Sequence, residues 1–189
     1  MNPLRAACLA ATCLVSLTGC ADWQADDLGS VDSGIYEIDG WHLNQGGCNA
    51  DGRSLLGVRD ATHVAIAAIS DRGDPFIAVE PCTGADDCEQ VLAQLADGWW
   101  PYVELTHGNH TDGYQGDNAG TTATGEVCRF WDETSTLTIE DGAARFERRT
   151  AYVDRIRDGL LCLYQDPPSS HGGCRELETL TATRVADLP

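Results

Sequence analysis

Nine cysteines, five histidines and thirty acidic side chains are the residues with chemistry to offer in this 189-residue chain. Cys8 and Cys13 sit in an apolar N-terminal run that ends at Cys20, which leaves Cys48, Cys82, Cys88, Cys128, Cys162 and Cys174 in the body. An even number of thiols in an exported chain reads as three disulfides. Cys82 and Cys88 bracket the turn-rich segment TGADD and close on each other, and Cys162 and Cys174 are symmetric about Pro168 in CLYQDPPSSHGGC, so a hairpin there sets them opposite. Cys48 with Cys128 is the pair that remains. The sequence holds no C-x-x-C pair, so the usual zinc-ligand spacing is missing.

A second source of chemistry is HGNHTDGYQGDNAGTTATGE, residues 107–126, long, glycine-rich and nearly free of aliphatics. Segments of this length without structure of their own are functional or disordered. His107, His110, Asp112, Asp117 and Asn118 offer N and O ligands to a divalent cation, and Trp99, Trp100 and Tyr102 just before them offer stacking or cation–π faces. The plainer reading, a surface loop over core aromatics, is the one the sequence alone favours, and no cofactor is expected. The acidic pairs Asp132/Glu133 and Glu176/Glu178 have the chemistry of a glycosidase's acid and base, but thirty acids make such pairs common by chance. G-x-S-x-G, H-E-x-x-H, P-loop and EF-hand patterns are all absent. Ser170-His171 and the RGD at Arg72–Asp74 read as turn residues.

Arg5, then the apolar AACLAATCLVSL, then small residues form a head, body and cut site of the kind that directs export. The apolar body is too short to span a bilayer, which takes about 20 residues. Leu17-Thr18-Gly19-Cys20 resembles the lipobox of bacterial lipoproteins. The resemblance implies cleavage after Gly19, a diacylglyceryl group on the Cys20 thiol and an acyl group on its amine. Ala21, rather than an acid, follows the cysteine, and by resemblance to enterobacterial sorting this favours the outer over the inner membrane. Two or three acyl chains hold a protein durably where one does not.

Three parts follow: a signal peptide at 1–19, a lipidated cysteine with an acidic tether at 20–33, and one disulfide-stapled domain at 34–189. A tether of that length reaches roughly 20 Å as a flexible coil. The net charge is −18, moving to about −19 once Arg5 leaves with the signal, and all twelve basic residues are arginine. So acidic a surface repels nucleic acid and anionic lipid heads and suits a basic protein partner. RFERRTAYVDRIR interleaves its arginines with acids and reads as a solvated strand face.

The elements that must position these groups are mostly strands. GIYEIDGWHLN reads as a strand, and THVAIAAIS, the turn DRGDP and FIAVE read as a hairpin. DDCEQVLAQLADG is the one helix, capped by Asp86 or Asp87, with Val91, Leu92 and Leu95 on one face and Gly98 at its end. WWPYVEL is a further strand. Asp141-Gly142 is a two-residue hairpin turn. Folded there, Ile139 meets Ala144 and Leu137 meets Phe146 on one face, while Thr138 meets Arg145 and Thr136 meets Glu147 on the other. Turns at Asp158-Gly159 and DPPSSHGG add LLCLYQ and CRELETLTATRV to a closing meander. The fold class is therefore mainly β, a small antiparallel barrel or sandwich with one short helix and about three disulfides. The Trp-bearing first strand and closing meander resemble small lipocalin-like barrels in layout.

The expected function is that of a lipid-anchored, non-catalytic binding module of the cell envelope, with inhibition of an exported enzyme one form of it. The alternative is a carrier whose barrel holds a small apolar ligand among Ile66, Trp41 and Trp131. An envelope hydrolase comes third.

Overall fold

A computed structural model describes Leu28, residues 31–46, 60–69, 75–97 and 101–156, Cys162 and residues 174–188. Cys20 and the lipobox, Cys48, Arg72–Asp74, Trp99, Trp100 and Ser170-His171 lie outside the described residues.

Nine antiparallel strands form one sheet in the order β4-β3-β2-β1-β9-β8-β7-β6-β5. In chain order they are β1 (Gly34–Asn44), β2 (His63–Ile69), β3 (Phe76–Cys82), β4 (Val103–Leu105), β5 (His107–Asn109), β6 (Gly113–Thr124), β7 (Val127–Glu140), β8 (Ala143–Ile156) and β9 (Cys174–Ala186), with α1 (Ala85–Ala96) between β3 and β4. The two edge strands, β4 and β5, are separated by Thr106 alone, whose N–H bonds to the Gln115 carbonyl at 2.9 Å. The sheet thus curls into a nearly closed barrel.

Local chemistry sets the register. Asp141 and Gly142 both take positive φ, 50° and 78°, as a type I′ turn requires. The pairs Ile139–Ala144, Leu137–Phe146, Thr138–Arg145 and Thr136–Glu147 all form as expected. Two glycines are set by close approach. A Cβ on Gly116 would lie 2.0 Å from the Glu104 carbonyl oxygen where β4 meets β6, and one on Gly120 would lie 2.5 Å from the Trp131 ring.

Those contacts account for a correction. Residues 107–126 form no long loop: His107–Asn109 and Gly113–Thr124 are strands, the second paired with β7 from Tyr114 to Thr124. Glycine there reflects packing against a carbonyl and a ring. The closing meander also differs, because β8 pairs directly with β9, so no strand from LLCLYQ stands between them. The helix begins earlier than expected, with Gly84 at its N-cap. Asp87 instead accepts bonds from the Thr83 N–H and hydroxyl, at 2.8 and 3.0 Å.

The core fills the barrel at the end where β2–β4 complete it. Tyr36, Val64, Ile66, Ile77, Val79, Leu105, Leu137, Phe146 and Leu180 are buried together. Leu28 and Val31 belong to the same cluster. Arg184 holds the segment beyond them, donating to Asp32 at 2.5 Å and to the Ser33 carbonyl at 2.7 Å. The domain therefore starts before Gly34, and the last residues of the expected tether are part of the core. Helix α1 covers the outer face of β2 and β3, with Leu92 and Leu95 against Ala65, Phe76 and Ala78.

Cys82–Cys88 ties the first turn of α1 to β3, as the short loop requires. The other two expected pairings are corrected: Cys128 bonds Cys162, with Cα atoms 5.7 Å apart. Cys174 is also disulfide-bonded. Cys162 is therefore not the partner of Cys174, and the strand facing β9 is β8.

Candidate functional site

Strand alternation sends residues 133, 135 and 137 of β7, 146, 148, 150 and 152 of β8, and 176, 178 and 180 of β9 to the inner face. At the closed end that face is apolar, with Leu137, Phe146 and Leu180 in the core. Continuing along the same strands in the same phase, it becomes charged. Arg148 stands opposite Ser135 and Glu178, and Thr150 stands opposite Glu133 and Glu176. The Arg148 guanidinium bonds Glu133 at 2.9 Å and lies 3.8 Å from Glu178. The Trp41 indole N–H donates to the other Glu178 oxygen at 2.5 Å. The Tyr152 hydroxyl donates to Glu176 Oε2 at 3.1 Å.

All of this lies in a dry setting: Glu176 is 5% exposed, Glu178 2% and Ser135 2%. Burial raises the Glu133 carboxyl above the ordinary carboxylate range, with Arg148 pulling against it. Burial, and after it the neighbouring Glu176 charge, pushes the Tyr152 hydroxyl to about 12. Two polar atoms of this face, Glu176 Oε1 and Ser135 Oγ, are buried with no hydrogen-bond partner among the described residues.

A pocket of about 560 Å³ lies on the same three rungs of the sheet. Its lining takes in the rungs Asp132–Ala151–Arg175 and Thr134–Arg149–Leu177, which alternation turns to the outer face, together with Asn44 and Gly46 of β1 and its exit. The rung between them, Glu133–Thr150–Glu176, completes the floor, its side chains directed to the inner face. Ala151 and Leu177 make an apolar patch flanked by Asp132, Arg149 and Arg175. The volume falls within the roughly 300–1,000 Å³ of small-molecule sites.

The groups singled out from sequence are placed as follows. His107 and Asp117 approach each other, Nε2 to Oδ2, at 4.0 Å. Asp117 also accepts the Thr134 hydroxyl at 2.8 Å. Asp112 takes the Asn109 amide at 2.9 Å in the β5–β6 turn, next to His110, and Asn118 bonds the N–H of Ala119. Pairing of β6 with β7 keeps these residues strung out along the strands. Among the described residues no three of His, Cys, Asp and Glu are grouped as metal ligands. Tyr102 is partly exposed, and its N–H bonds Glu80. Of the acidic pairs, Asp132 and Glu133 point to opposite faces, whereas Glu176 and Glu178 share the inner one.

Sequence reasoning passed over Arg148 and Tyr152 on the inner face, and Asn44, Gly46, Thr134, Arg149, Ala151, Arg175 and Leu177 around the pocket; Trp41, expected to line an apolar cavity, instead donates to Glu178. RFERRTAYVDRIR is a solvated face only in part, since the Arg148 side chain is 11% exposed. The available signal was phase: Arg148, Thr150 and Tyr152 extend the alternation that starts at Ala144 and Phe146. No protein-family model matches this chain, and no curated protein or solved structure matches it either.

Proposed function

We propose that this chain is a lipid-anchored, non-catalytic binding module of the bacterial cell envelope, whose ligand occupies the outer pocket on β7, β8 and β9. The observation that carries the reading is the pocket: a cavity of about 560 Å³ with an apolar patch between charged side chains, on long strands pinned by the Cys128–Cys162 bridge. Its composition suits a small molecule with an apolar body and a charged end. The anchor is Cys20, by the lipobox resemblance, and the outer membrane is the favoured site. Leu28 lies in the core eight residues beyond it, which limits the first docked residue to about 28 Å from the anchor. The closed, apolar end of the barrel then faces the membrane and the pocket end faces away. The acidic surface favours a basic partner over nucleic acid, and inhibition of an exported enzyme remains one form such binding takes.

The interior gives less support to the carrier alternative. Ile66 is packed in the core, and Trp41 sits beside Glu178 at the charged end, so an apolar cargo inside would displace well-packed side chains. Nor do the buried Glu176 and Glu178, held by Tyr152, Arg148 and Trp41, offer a substrate the open carboxylate cleft that hydrolysis needs.

Native mass spectrometry of protein extracted from the membranes of cells that make it tests the reading. A bound small molecule is expected on the wild type and not on Ala151→Trp, which fills the pocket, nor on Leu177→Trp. A wild type with no added mass, or variants carrying the same mass, would refute it.

A further inference from the structure

Past β5 the sheet has an edge that no pairing covers. Gly113, Tyr114 and Gln115 of β6 pair with β5, and Tyr114 to Thr124 pair with β7. On the side away from β7, Asp117 to Thr124 therefore meet no strand among the described residues. Gln115 gives its carbonyl to the Thr106 N–H, so alternation turns the N–H and C=O of Asp117, Ala119, Thr121 and Ala123 outward in the plane of the sheet. The Ala119 N–H is met at 2.9 Å by a neighbouring side chain, Asn118 Oδ1. Asp117, Asn118, Ala119, Thr121, Thr122 and Ala123 are all exposed.

Long edges are usually guarded by a proline, a bulge or a lysine. β1 has such a device: where it runs past β2, its register with β9 shifts between Ile38 and Gly40. The ladder of β6 with β7 runs without a shift, and β6 contains no proline and no basic residue. We infer that the β6 edge from Asp117 to Thr124 is a docking site for an extended, basic segment of a partner protein, which joins the sheet as a further strand. Main-chain hydrogen bonds to the uncharged stretch after Asp117 supply the pairing. Charge selects the occupant. Asp117 is the one charged residue of β6, and the exposed Asp112 and Glu126 flank the strand, so acids stand at both ends of the edge. Arg129, opposite Thr122 on β7, is held by both oxygens of Asp154. A second copy of the chain fits less well. Paired antiparallel about Thr121, it would set Asp117 of one copy beside Gly125 and Glu126 of the other, acid near acid, between chains of net charge −18. The inference rests on the reading of this chain as a module with a basic partner, and not on the ligand of the outer pocket.

The test uses the full chain in neutral detergent and a fluorescent octapeptide amide of alternating lysine and threonine. Anisotropy measures binding, and amide hydrogen exchange over residues 117–124 reports where the peptide sits. Saturable one-to-one binding is expected, with slowed exchange across that stretch. Binding should be at least tenfold weaker for the same peptide N-methylated at every residue, which keeps its charge and has no backbone N–H to donate. It should weaken as much in Thr121→Pro, which removes an outward N–H from the edge. An octapeptide of alternating glutamate and threonine should not bind. If Thr121→Pro does not fold, the methylated peptide decides. Equal binding of the methylated or the acidic peptide, binding unchanged in a folded Thr121→Pro, exchange unaltered at residues 117–124, no binding at millimolar peptide, or a dimer in sedimentation that Thr121→Pro dissociates would overturn the site. Any of these leaves the outer pocket untouched, and an empty pocket leaves the edge untouched.

Discussion

Glu80 sits 8% exposed on the face of β3 that looks toward α1, opposite Ala65 of β2, with the Tyr102 N–H on its carboxylate. Burial raises its pKa from 4.5 to about 7, and the Tyr102 bond only partly offsets that. A carboxyl whose folded pKa exceeds its unfolded one holds its proton more tightly in the native state. The stabilisation this gives is complete below about pH 4.5, and it is lost as pH rises through 7. The rise from 4.5 to about 7 makes the linked contribution about 3 kcal/mol between pH 4 and pH 8. Glu80→Gln keeps an acceptor for Tyr102 but carries no charge at any pH. Relative to wild type, the variant should therefore gain about 3 kcal/mol on going from pH 4 to pH 8. Urea unfolding of both proteins at half-unit pH steps, with disulfides intact, measures the difference directly. A difference between them that stays constant within about 0.5 kcal/mol across that range would refute the reasoning.

Three further outcomes are expected. Arg148→Met leaves Glu133 and Glu178 without their shared cation and should cost about 3–5 kcal/mol near pH 7; urea titration of wild type and variant checks it. Leu28→Ala removes a side chain 1% exposed in the barrel core and should cost about 2–5 kcal/mol, whereas a free tether would show no change in the unfolding midpoint. Cys128→Ala with Cys162→Ala opens a loop closed across 34 residues and should cost about 4 kcal/mol by the chain-entropy relation, against about 2 kcal/mol for Cys82→Ala with Cys88→Ala; thermal unfolding of the two double variants ranks them.

What the sequence made legible was local. The Asp141-Gly142 turn fixes its own register, so the pairs around it follow from turn chemistry and a period of two. The β2–β3 hairpin and the Cys82–Cys88 bridge, only six residues apart, were readable for the same reason. The contacts that were missed span long separations. Trp41 meets Glu178 across 137 residues, and Arg184 meets Asp32 across 152. Nothing local announces either, and Leu28 looked like tether because its partners are strands far along the chain. Residues 113–124 were misread because glycine was taken for freedom, where the fold uses it for contact with Glu104 and Trp131. The candidate site depends on β7, β8 and β9 lying side by side. Its residues carry a signal in their phase, and only the pairing of the strands turns that phase into a cluster.

The proposal as a whole turns on Cys20. Intact mass spectrometry of the protein extracted from its native membranes should find a chain beginning at Cys20, lacking Met1–Gly19, with the mass of a diacylglyceryl group and a further acyl group at that residue. A chain that retains residues 1–19, or one that begins elsewhere with an unmodified amine and thiol, would contradict it.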